Sequence, residues 1–353
     1  MAAGLRGLVL RTIELSGINF LIHQFNAEKL TVVCYHGVIS ERLGRQDPNF
    51  DTTIGVDDFT AHIEFLARWF RPVTVSEVRA SFQEGRPLPH RSLLITFDDG
   101  YRNVFTHAAP VLRRYGFPAA VFVSTAYMGS KLLFWWDEIR QRLLHWSEPR
   151  IETPADGSPA SWPKEDAARR ARGAEIEQAC KRISNRRRIE YLEYVRAHTP
   201  EGLRLTDGQH HILDPMSWDE VRGLASMEFE IGSHTVSHPI LTNLNPEELS
   251  AELAQSKAEI ERQTGKPCYS IAYPNGTQAD YSSLVVKAAE EAGYDLAFTC
   301  VERLNNRRNG PFLISRMSIP GHVPLTALRI RVSGLHAMLS GTGAQPVASA
   351  ARA

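Results

Sequence analysis

A short apolar run that ends in two acids constrains this chain more than any other stretch. Residues 92–97 are almost continuously apolar, which is typical of a strand buried on both faces, and Asp98-Asp99-Gly100 follow directly. Gly100 permits a sharp turn, and residues 101–115 then show a helical pattern. In parallel α/β folds, ligands and catalytic groups gather at the carboxyl ends of the strands. We therefore expect both carboxylates at that edge of a sheet, although this tripeptide alone is also typical of a plain polar turn.

Six further apolar runs resemble this one, and most are separated by amphipathic helical patterns. The seven runs begin near Leu30, Ser92, Ala119, Phe229, Tyr269, Leu296 and Leu313. Such alternation predicts parallel β/α units with right-handed crossovers. Seven units favour a distorted (β/α)7 barrel over an open sheet. Residues 128–215 show no strand signal, so we predict a helical insertion after the third strand, over one rim of the barrel.

The two ends of the chain are expected to lie outside the barrel, which is predicted to span residues 30–325. Residues 1–29 show apolar positions at helical spacing, which predicts an amphipathic helix packed on the body or, alternatively, weak peripheral attachment to a membrane. Residues 326–353 are predicted to form one more helix and then a disordered, small and polar tail. No apolar run approaches the roughly 20 residues that cross a bilayer.

Charge and cysteine content narrow the class of function. The 353 residues carry 40 basic and 40 acidic side chains, so no global charge favours nucleic acid or an anionic membrane as a partner. The four cysteines are far apart and form no C-x-x-C motif. Buried, reduced thiols and a cytoplasmic location fit this pattern better than a disulfide framework does.

A pair of histidines follows the fourth predicted strand. His234 and His238 come directly after residues 229–231 and Gly232. On a helical turn, positions i and i+4 share a face, so we expect both imidazoles to hold one ion. An aspartate at a neighbouring strand end would complete a set of two nitrogen donors and one oxygen donor that leaves coordination positions open. That arrangement is suited to metal-assisted hydrolysis.

Three other features have both a functional and a structural interpretation. His36 follows the first predicted strand and is either a catalytic group or a hydrogen-bonded core histidine. Trp136 is either packing within the insertion or a flat wall for a sugar ring. The basic segment 164–198 could bind an anionic part of a substrate, but its interleaved glutamates favour a solvated helix face.

Three motifs together resemble a known family. Residues 96–100 (TFDDG), 234–239 (HTVSHP) and 272–276 (AYPNG) look like successive motifs of the polysaccharide deacetylases, which are metal-dependent hydrolases of acetyl groups on sugars with a distorted (β/α)7 barrel. The resemblance covers roughly residues 30–320 apart from the insertion. It implies a metal triad of Asp99, His234 and His238, usually holding Zn²⁺, and it implies that Asp98 is the general base.

The third motif departs from the family pattern. The resemblance places Tyr273, Pro274 and Asn275 in the loop that binds substrate and whose backbone N–H groups help to hold the oxyanion. The family commonly begins this motif with an arginine that orients the base, but Ala272 stands there in this chain. Arg316 is the candidate replacement.

The general acid is the second departure. The family's late Leu-x-His motif is missing, and Leu335-His336 has the wrong spacing. Residues 34–36 (CYH) resemble the circularly permuted branch of the family, which includes exopolysaccharide deacetylases and uses a histidine at that place as acid. His36 is therefore the expected acid, and His322 is an outside candidate.

These observations predict a metal-dependent deacetylase with an acetylated glycan or sugar-lipid as its substrate. The acetyl group would be carried by an N-acetylated sugar of a polysaccharide, lipopolysaccharide or lipid-linked glycan. Two alternatives remain open. The same barrel and metal could hydrolyse a small non-sugar amide, or the chain could be a non-catalytic glycan-binding relative.

Overall fold

A computed structural model describes residues 17–40, 52–321 and 323–339 of the chain. It confirms the predicted fold class, because a curled sheet of parallel strands is surrounded by helices. Among the described residues, seven strands follow one path through the sheet: β1 (Thr31–Tyr35), β2 (Ser92–Phe97), β3 (Ala119–Val123), β4 (Glu230–Ser233), β5 (Ser270–Ala272), β6 (Leu296–Phe298) and β7 (Met317–Ser318). Their order in the sheet is β6-β5-β4-β3-β2-β1-β7.

The last strand brings the two ends of the sheet together. Met317 and Ser318 pair with Val33 and Cys34 of β1. Three residues earlier, Ile314 forms a parallel bridge with Phe298 of β6. One short segment therefore contacts both edge strands and curls the sheet. A two-residue strand, Arg71–Pro72, also pairs with the start of β2, and Gly37–Ile39 pairs with Thr53–Gly55.

Alternation along the strands builds two apolar layers. Val32, Leu94 and Phe122 belong to a cluster formed mainly by strand residues, whereas Val33 and Ile95 belong to the larger cluster that the surrounding helices share. All of them are buried, and burial of one such side chain contributes about 1.5–3 kcal/mol. The helices that surround the sheet are Val56–Trp69, Val75–Glu84, Ala109–Tyr115, Trp218–Ser226, Pro246–Thr264 and Ser283–Glu291. A π-helical turn, Val104–Ala108, precedes the third of them.

The insertion after β3 is helical, as predicted, and has an apolar core of its own. Its helices are Trp135–Leu144, Asp166–Cys180, Asn185–Ala197 and Asp207–Leu213. Trp135, Trp146 and Tyr191 are buried in that core. The expectation of a region without strands is wrong in one place, because Arg150–Glu152 and Pro159–Ser161 form an antiparallel pair. Strands of three residues are too short to show an alternating pattern in the sequence.

Helices at both ends of the described chain pack beside the barrel. Ile18–Phe25 is helical, and Asn26 Nδ2 donates to the Ser333 carbonyl at 2.8 Å. Leu325–Val332 and Leu335–Leu339 form two helices where one was predicted, with Gly334 between them at φ 88°. The predicted start of the first helix and the predicted disordered tail lie outside the described residues. None of the helices that the structure describes has the length and apolarity needed to span a bilayer.

Candidate active site

A cavity of about 470 Å³ opens at the carboxyl ends of the barrel strands, and the two acids of the opening motif lie in its wall. Asp99 has a left-handed backbone with φ 72°, and Gly100 follows at φ 100°. This corner breaks the strand alternation, so that Asp98 and Asp99 can both face the cavity. The Asp98 N–H donates to the Tyr35 carbonyl at 3.0 Å, which ties the corner to β1.

Asp98 forms a buried, two-pronged ion pair with Arg316. Arg316 Nη1 lies 2.6 Å from Asp98 Oδ1, and Nη2 lies 2.7 Å from Oδ2. Arg316 is fully buried, and its Nε donates to the Thr299 carbonyl at 3.0 Å. Burial alone would raise the pKa of Asp98, but the Arg316 guanidinium holds it well below its usual range. Arg316 therefore contacts the carboxylate that an arginine in the third motif would orient. The charge of Arg316 keeps Asp98 ionised.

Asp99 has a different set of neighbours. His234 Nε2 and His238 Nε2 each lie 3.5 Å from Asp99 Oδ1, and the donor atoms of the three residues lie within 4.8 Å of one another. Burial, followed by the charge of Asp98, raises the pKa of Asp99 well above its usual range. Burial lowers the pKa of both histidines, so the imidazoles are neutral and do not compensate the carboxylate charge.

This donor set fits a divalent cation. One carboxylate oxygen and two neutral imidazole nitrogens are ligands that Zn²⁺ accepts in catalytic sites. His234 Nδ1 lies 2.8 Å from the Ala272 carbonyl, which orients the ring so that Nε2 faces the other donors. Burial disfavours the charged form of Asp99, and a bound cation would favour it in a way that the neutral histidines cannot. Asp99, His234 and His238 are therefore the residues that would hold the metal.

The two histidines meet on an irregular turn, so the predicted helical turn is wrong. Thr235 and His238 both have left-handed backbones, with φ 69° and 54°. Glu252, on the following helix, accepts the Val236 and Ser237 N–H groups at 2.7 and 3.0 Å. These bonds replace the helical ones and still bring the two rings to 4.6 Å between centroids. A carboxylate fourteen residues beyond the second histidine gives no local sequence signal for this turn.

Backbone strain concentrates at the site. Of the six non-glycine residues with positive φ in the described chain, four belong to the three motif loops. They are Asp99, Thr235, His238 and Asn275. Such conformations cost roughly 1–3 kcal/mol each and persist where the surrounding structure enforces them, which is common at functional sites.

His36 also lines the cavity, beside Asp98. Ligand atoms of His36, Cys34 and Asp98 lie within 4.8 Å of one another. This group could in principle hold a second ion, but Arg316 already occupies both oxygens of Asp98. Burial lowers the pKa of His36 to about 4, against the opposing effect of Asp98, so its resting imidazole is neutral.

The third motif contributes one lining residue. Asn275 lies in the cavity wall, and its side-chain amide donates to Asp280 at 2.8 Å. Its backbone N–H has no protein acceptor in the described part of the chain. Tyr273 lies behind the wall instead, because its ring stacks on Tyr281 and its N–H donates to the Phe298 carbonyl. Pro274 is not a lining residue, and its carbonyl accepts the Gly276 N–H.

Trp136 is part of the cavity wall and contacts the metal-ligand loop. Its ring lies 4.4 Å from the His238 ring, between centroids, and stacks on Phe134. Its Nε1 donates to the Tyr101 hydroxyl, which in turn donates to Asp137. The neighbouring Trp135 is buried and donates to the His238 carbonyl. The insertion is therefore attached directly to the loop that carries the second histidine.

Sequence reasoning missed several lining residues of the insertion. Asp137, Arg140, Glu177 and Lys181 all line the cavity. The prediction of a solvated helix face is therefore wrong for Glu177, which is buried. Burial raises the pKa of Asp137 to about 7. His336 lies beside Glu302 and does not line this cavity, and His322 lies outside the described residues.

Known proteins show the same sequence pattern. A sequence model of the family described as polysaccharide deacetylase matches residues 85–155 and 190–297, which is half of the chain. The chain belongs to the polysaccharide deacetylase family. A putative polysaccharide deacetylase, YxkH of Bacillus subtilis (strain 168), is 21% identical over 295 residues, which are 83% of this chain and 72% of that protein.

Solved structures of two proteins share the fold of this family member. The deacetylase PplD of Streptococcus pyogenes, solved with acetate, superposes with a TM-score of 0.56 at 16% identity, over 85% of this chain and 96% of that one. IcaB from Ammonifex degensii gives a TM-score of 0.55 at 18% identity, over 87% and 97% of the two chains. At these identities the likeness concerns the fold alone.

Proposed function

We propose that this polysaccharide deacetylase family member is a metal-dependent hydrolase that removes acetyl groups from N-acetylated sugars of a polysaccharide, lipopolysaccharide or lipid-linked glycan. The observation that carries the proposal is the pair of adjacent aspartates. Asp98 is kept ionised by Arg316 and is not needed as a ligand, whereas Asp99 joins two histidines in a donor set for a cation. A glycan-binding protein without activity has no need for an ionised base beside such a set.

The predicted site residues that line the cavity have distinct roles in amide hydrolysis. A divalent cation at the triad would polarise the acetyl carbonyl and lower the pKa of an attacking water. Asp98 accepts a proton from that water, and Arg316 keeps the carboxylate oriented for it. The Asn275 N–H is available to the oxyanion, and loss of one such donor typically costs about 3–4 kcal/mol. Trp136 offers an aromatic face to the sugar ring.

His36 is the proposed acid for the departing amine. Its ring is neutral at rest because burial lowers its pKa to about 4. It therefore needs a proton during the reaction, and the nearest source is the one that Asp98 has just accepted. Ligand atoms of the two residues lie within 4.8 Å of each other, so one bridging water would carry the proton between them. His36 then delivers that proton to the amine nitrogen.

The test is acetate release from a panel of N-acetylated glycans and sugar-lipids. Purified protein should release acetate, lose this activity with a chelator and regain it with zinc. Asp98→Asn should lower kcat by about 10²–10⁴-fold, because it removes the proton acceptor. The exposed Asp219 provides a matched control, and Asp219→Asn should not change the rate.

Three outcomes would contradict the proposal. Acetate release that survives the chelator argues against the metal, and undiminished turnover by Asp98→Asn ends the base role. Ammonia or formate release from small amides, without acetate release from any glycan, would assign the barrel to the other substrate class.

A further inference from the structure

Two cations and one carboxylate of the insertion form a charged patch on the cavity wall. Glu177 Oε2 accepts from Arg140 Nε at 2.6 Å, and Glu177 Oε1 lies 2.8 Å from Lys181 Nζ. The Glu177 side chain is 2% exposed, whereas those of Arg140 and Lys181 are 29% and 21% exposed. Arg140 and Lys181 therefore share one buried carboxylate as an ion-pair partner. The patch as a whole carries a net positive charge.

Lys181 belongs to the same electrostatic environment as the metal donors. It lines the cavity with Asp99, His36 and His238, and its ammonium acts on the ionisation of all three. An ammonium has three N–H donors, and Glu177 is its ion-pair partner among the described residues. Donor capacity therefore remains for a group that enters the cavity.

The backbone that carries Lys181 is fixed to the metal-ligand loop. Asn243 Nδ2 donates to the Lys181 carbonyl at 3.0 Å and to the Ile183 carbonyl at 2.8 Å. Asn243 lies five residues after His238, and Trp135 of the insertion donates to the His238 carbonyl. The position of the patch relative to the donor triad is thus set before a substrate binds. Preorganisation of this kind lowers the ordering cost of binding.

Other charged groups of the cavity do not reverse its sign. Asp98 is neutralised by Arg316, and Asp137 accepts a hydrogen bond from Tyr101 at 2.6 Å. Even with Asp137 ionised, a divalent cation at Asp99 would bring the positive charge of the cavity and of Arg316 above the charge of its four carboxylates, which belong to Asp98, Asp99, Asp137 and Glu177. A negatively charged ligand group is therefore favoured in this cavity, and an ammonium group is disfavoured.

We propose that Lys181 and Arg140 form a subsite for an anionic group of the acetylated substrate, either a phosphate ester or the carboxylate of a uronate sugar. Arginine and lysine are the residues that recognise phosphate and carboxylate groups in proteins. This inference rests on the proposed deacetylase function and names the substrate class for that site. A neutral N-acetylglucosamine chain would leave the subsite without its partner.

Matched pairs of substrates test the subsite on the zinc-loaded full chain. The phosphate arm compares N-acetylglucosamine 1-phosphate with methyl N-acetylglucosaminide. The carboxylate arm compares an oligosaccharide of alternating N-acetylglucosamine and glucuronate with an N-acetylglucosamine oligomer of equal length. The anionic member of at least one pair should have about fivefold higher kcat/KM at low ionic strength, with a smaller advantage at high salt.

Substitutions at Lys181 assign the preference to the patch. Lys181→Met should abolish the advantage of the anionic substrate, and Lys181→Arg should keep it, which also controls for a folding defect. The neighbouring Arg182 is exposed and does not line the cavity, so Arg182→Met should leave both rates and their ratio unchanged.

The outcomes separate this inference from the proposed function. Acetate release with equal kcat/KM for both members of both pairs overturns the subsite and leaves the deacetylase standing, as does a preference that survives Lys181→Met. If no substrate releases acetate, the proposed function fails. Calorimetric binding of N-acetylglucosamine 1-phosphate, weakened by Lys181→Met, would then still support the subsite, and unchanged binding would refute it.

Discussion

The two halves of the site shift the pKa values of the adjacent aspartates in opposite directions. Asp98 and Asp99 are both at least 95% buried, and they share one strand end. In the arginine half, Arg316 meets both oxygens of Asp98 and holds the pKa of that carboxyl well below its usual range. In the histidine half, burial and the charge of Asp98 raise the pKa of Asp99 well above its usual range. The difference lies in the partners and not in burial.

This contrast explains how one dipeptide could serve both proposed roles, as general base and as metal ligand. A general base must stay ionised without being consumed as a ligand, and a buried guanidinium achieves that by charge and by geometry. A metal ligand needs a carboxylate whose charge the protein leaves uncompensated, so that a cation adds the missing interaction. Arg316 is the internal cation beside Asp98, whereas the neighbours of Asp99 are the two neutral histidine rings.

The largest expected effect comes from replacing the carboxyl group of Asp99. Asp99→Asn should lower acetate release by about a thousandfold or more, because a bound metal contributes several kcal/mol to the barrier. It should also lower the metal content of the purified protein, measured by elemental analysis. In the presence of a chelator, the same variant should be at least as stable as the wild type towards urea, since it replaces a carboxyl whose charged form burial disfavours with a neutral amide.

The chelator experiment has a clear opposite result. If Asp99→Asn is several kcal/mol less stable than the wild type without metal, the carboxylate has a structural partner in the protein, and the contrast with Asp98 fails. Unchanged metal content in this variant would remove Asp99 from the ligand set.

The next largest effect concerns the partner of the other aspartate. Arg316→Met should lower the free energy of unfolding by about 3–5 kcal/mol at pH 7, because it leaves Asp98 buried and unpaired. Arg102 pairs with Glu220 at 2.7 Å on an exposed surface, and Arg102→Met should cost less than about 1 kcal/mol. Urea denaturation of both variants measures the difference, and equal losses would show that the buried pair is not special.

The same substitution should change the pH dependence of activity. In the wild type, the depressed pKa of Asp98 means that the ion pair stabilises the fold above the unfolded carboxyl pKa of about 3.9 and that this stability is lost as the pH falls. Without the guanidinium, burial dominates and the pKa of Asp98 rises. The acid limb of kcat/KM should then move to higher pH in Arg316→Met, whereas an unshifted limb would detach the base role from Asp98.

Local signals in the sequence predict the barrel well. The Pro246–Thr264 helix shows why: Asn245 caps it, Glu248 completes the capping box, and Gly265 ends it at φ 66°. Each of these devices depends on residues within one helical turn of the helix end. The same holds for the buried strand that leads to the aspartates.

The site depends on contacts that are remote along the chain, and these were harder to predict. The turn between the histidines is held by Glu252, so its helical interpretation from spacing was wrong. Glu177 and Lys181 have the interleaved charges of a solvated helix, and only tertiary packing turns that face towards the cavity. The ion pair of Arg316 with Asp98 spans 218 positions, and the arginine missing from the third motif, not the local sequence of Arg316, made Arg316 a candidate for it.

Glu230 is a half-buried carboxylate that does not line the cavity, so it separates the effect of burial from that of the metal site. It begins the strand that His234 follows, and Ser270 Oγ donates to its Oε1 at 2.8 Å. Burial raises its pKa to about 7, against the opposing effects of Ser270 and Arg79. Relative to an unfolded pKa of about 4.3, its contribution to stability is fully present below that pH and is lost as the pH rises towards 7.

The effect of Glu230→Gln on stability, relative to the wild type, should therefore be more favourable at pH 8 than at pH 5. The amide stays neutral at both values, so the difference in unfolding free energy between variant and wild type should change by about 2–3 kcal/mol over this interval. Urea denaturation at the two pH values measures it, with Glu201→Gln as an exposed control. A difference that does not change with pH would mean that burial alone does not raise a carboxyl pKa here, and the elevated pKa of Asp99 would then need a cause other than its missing cation.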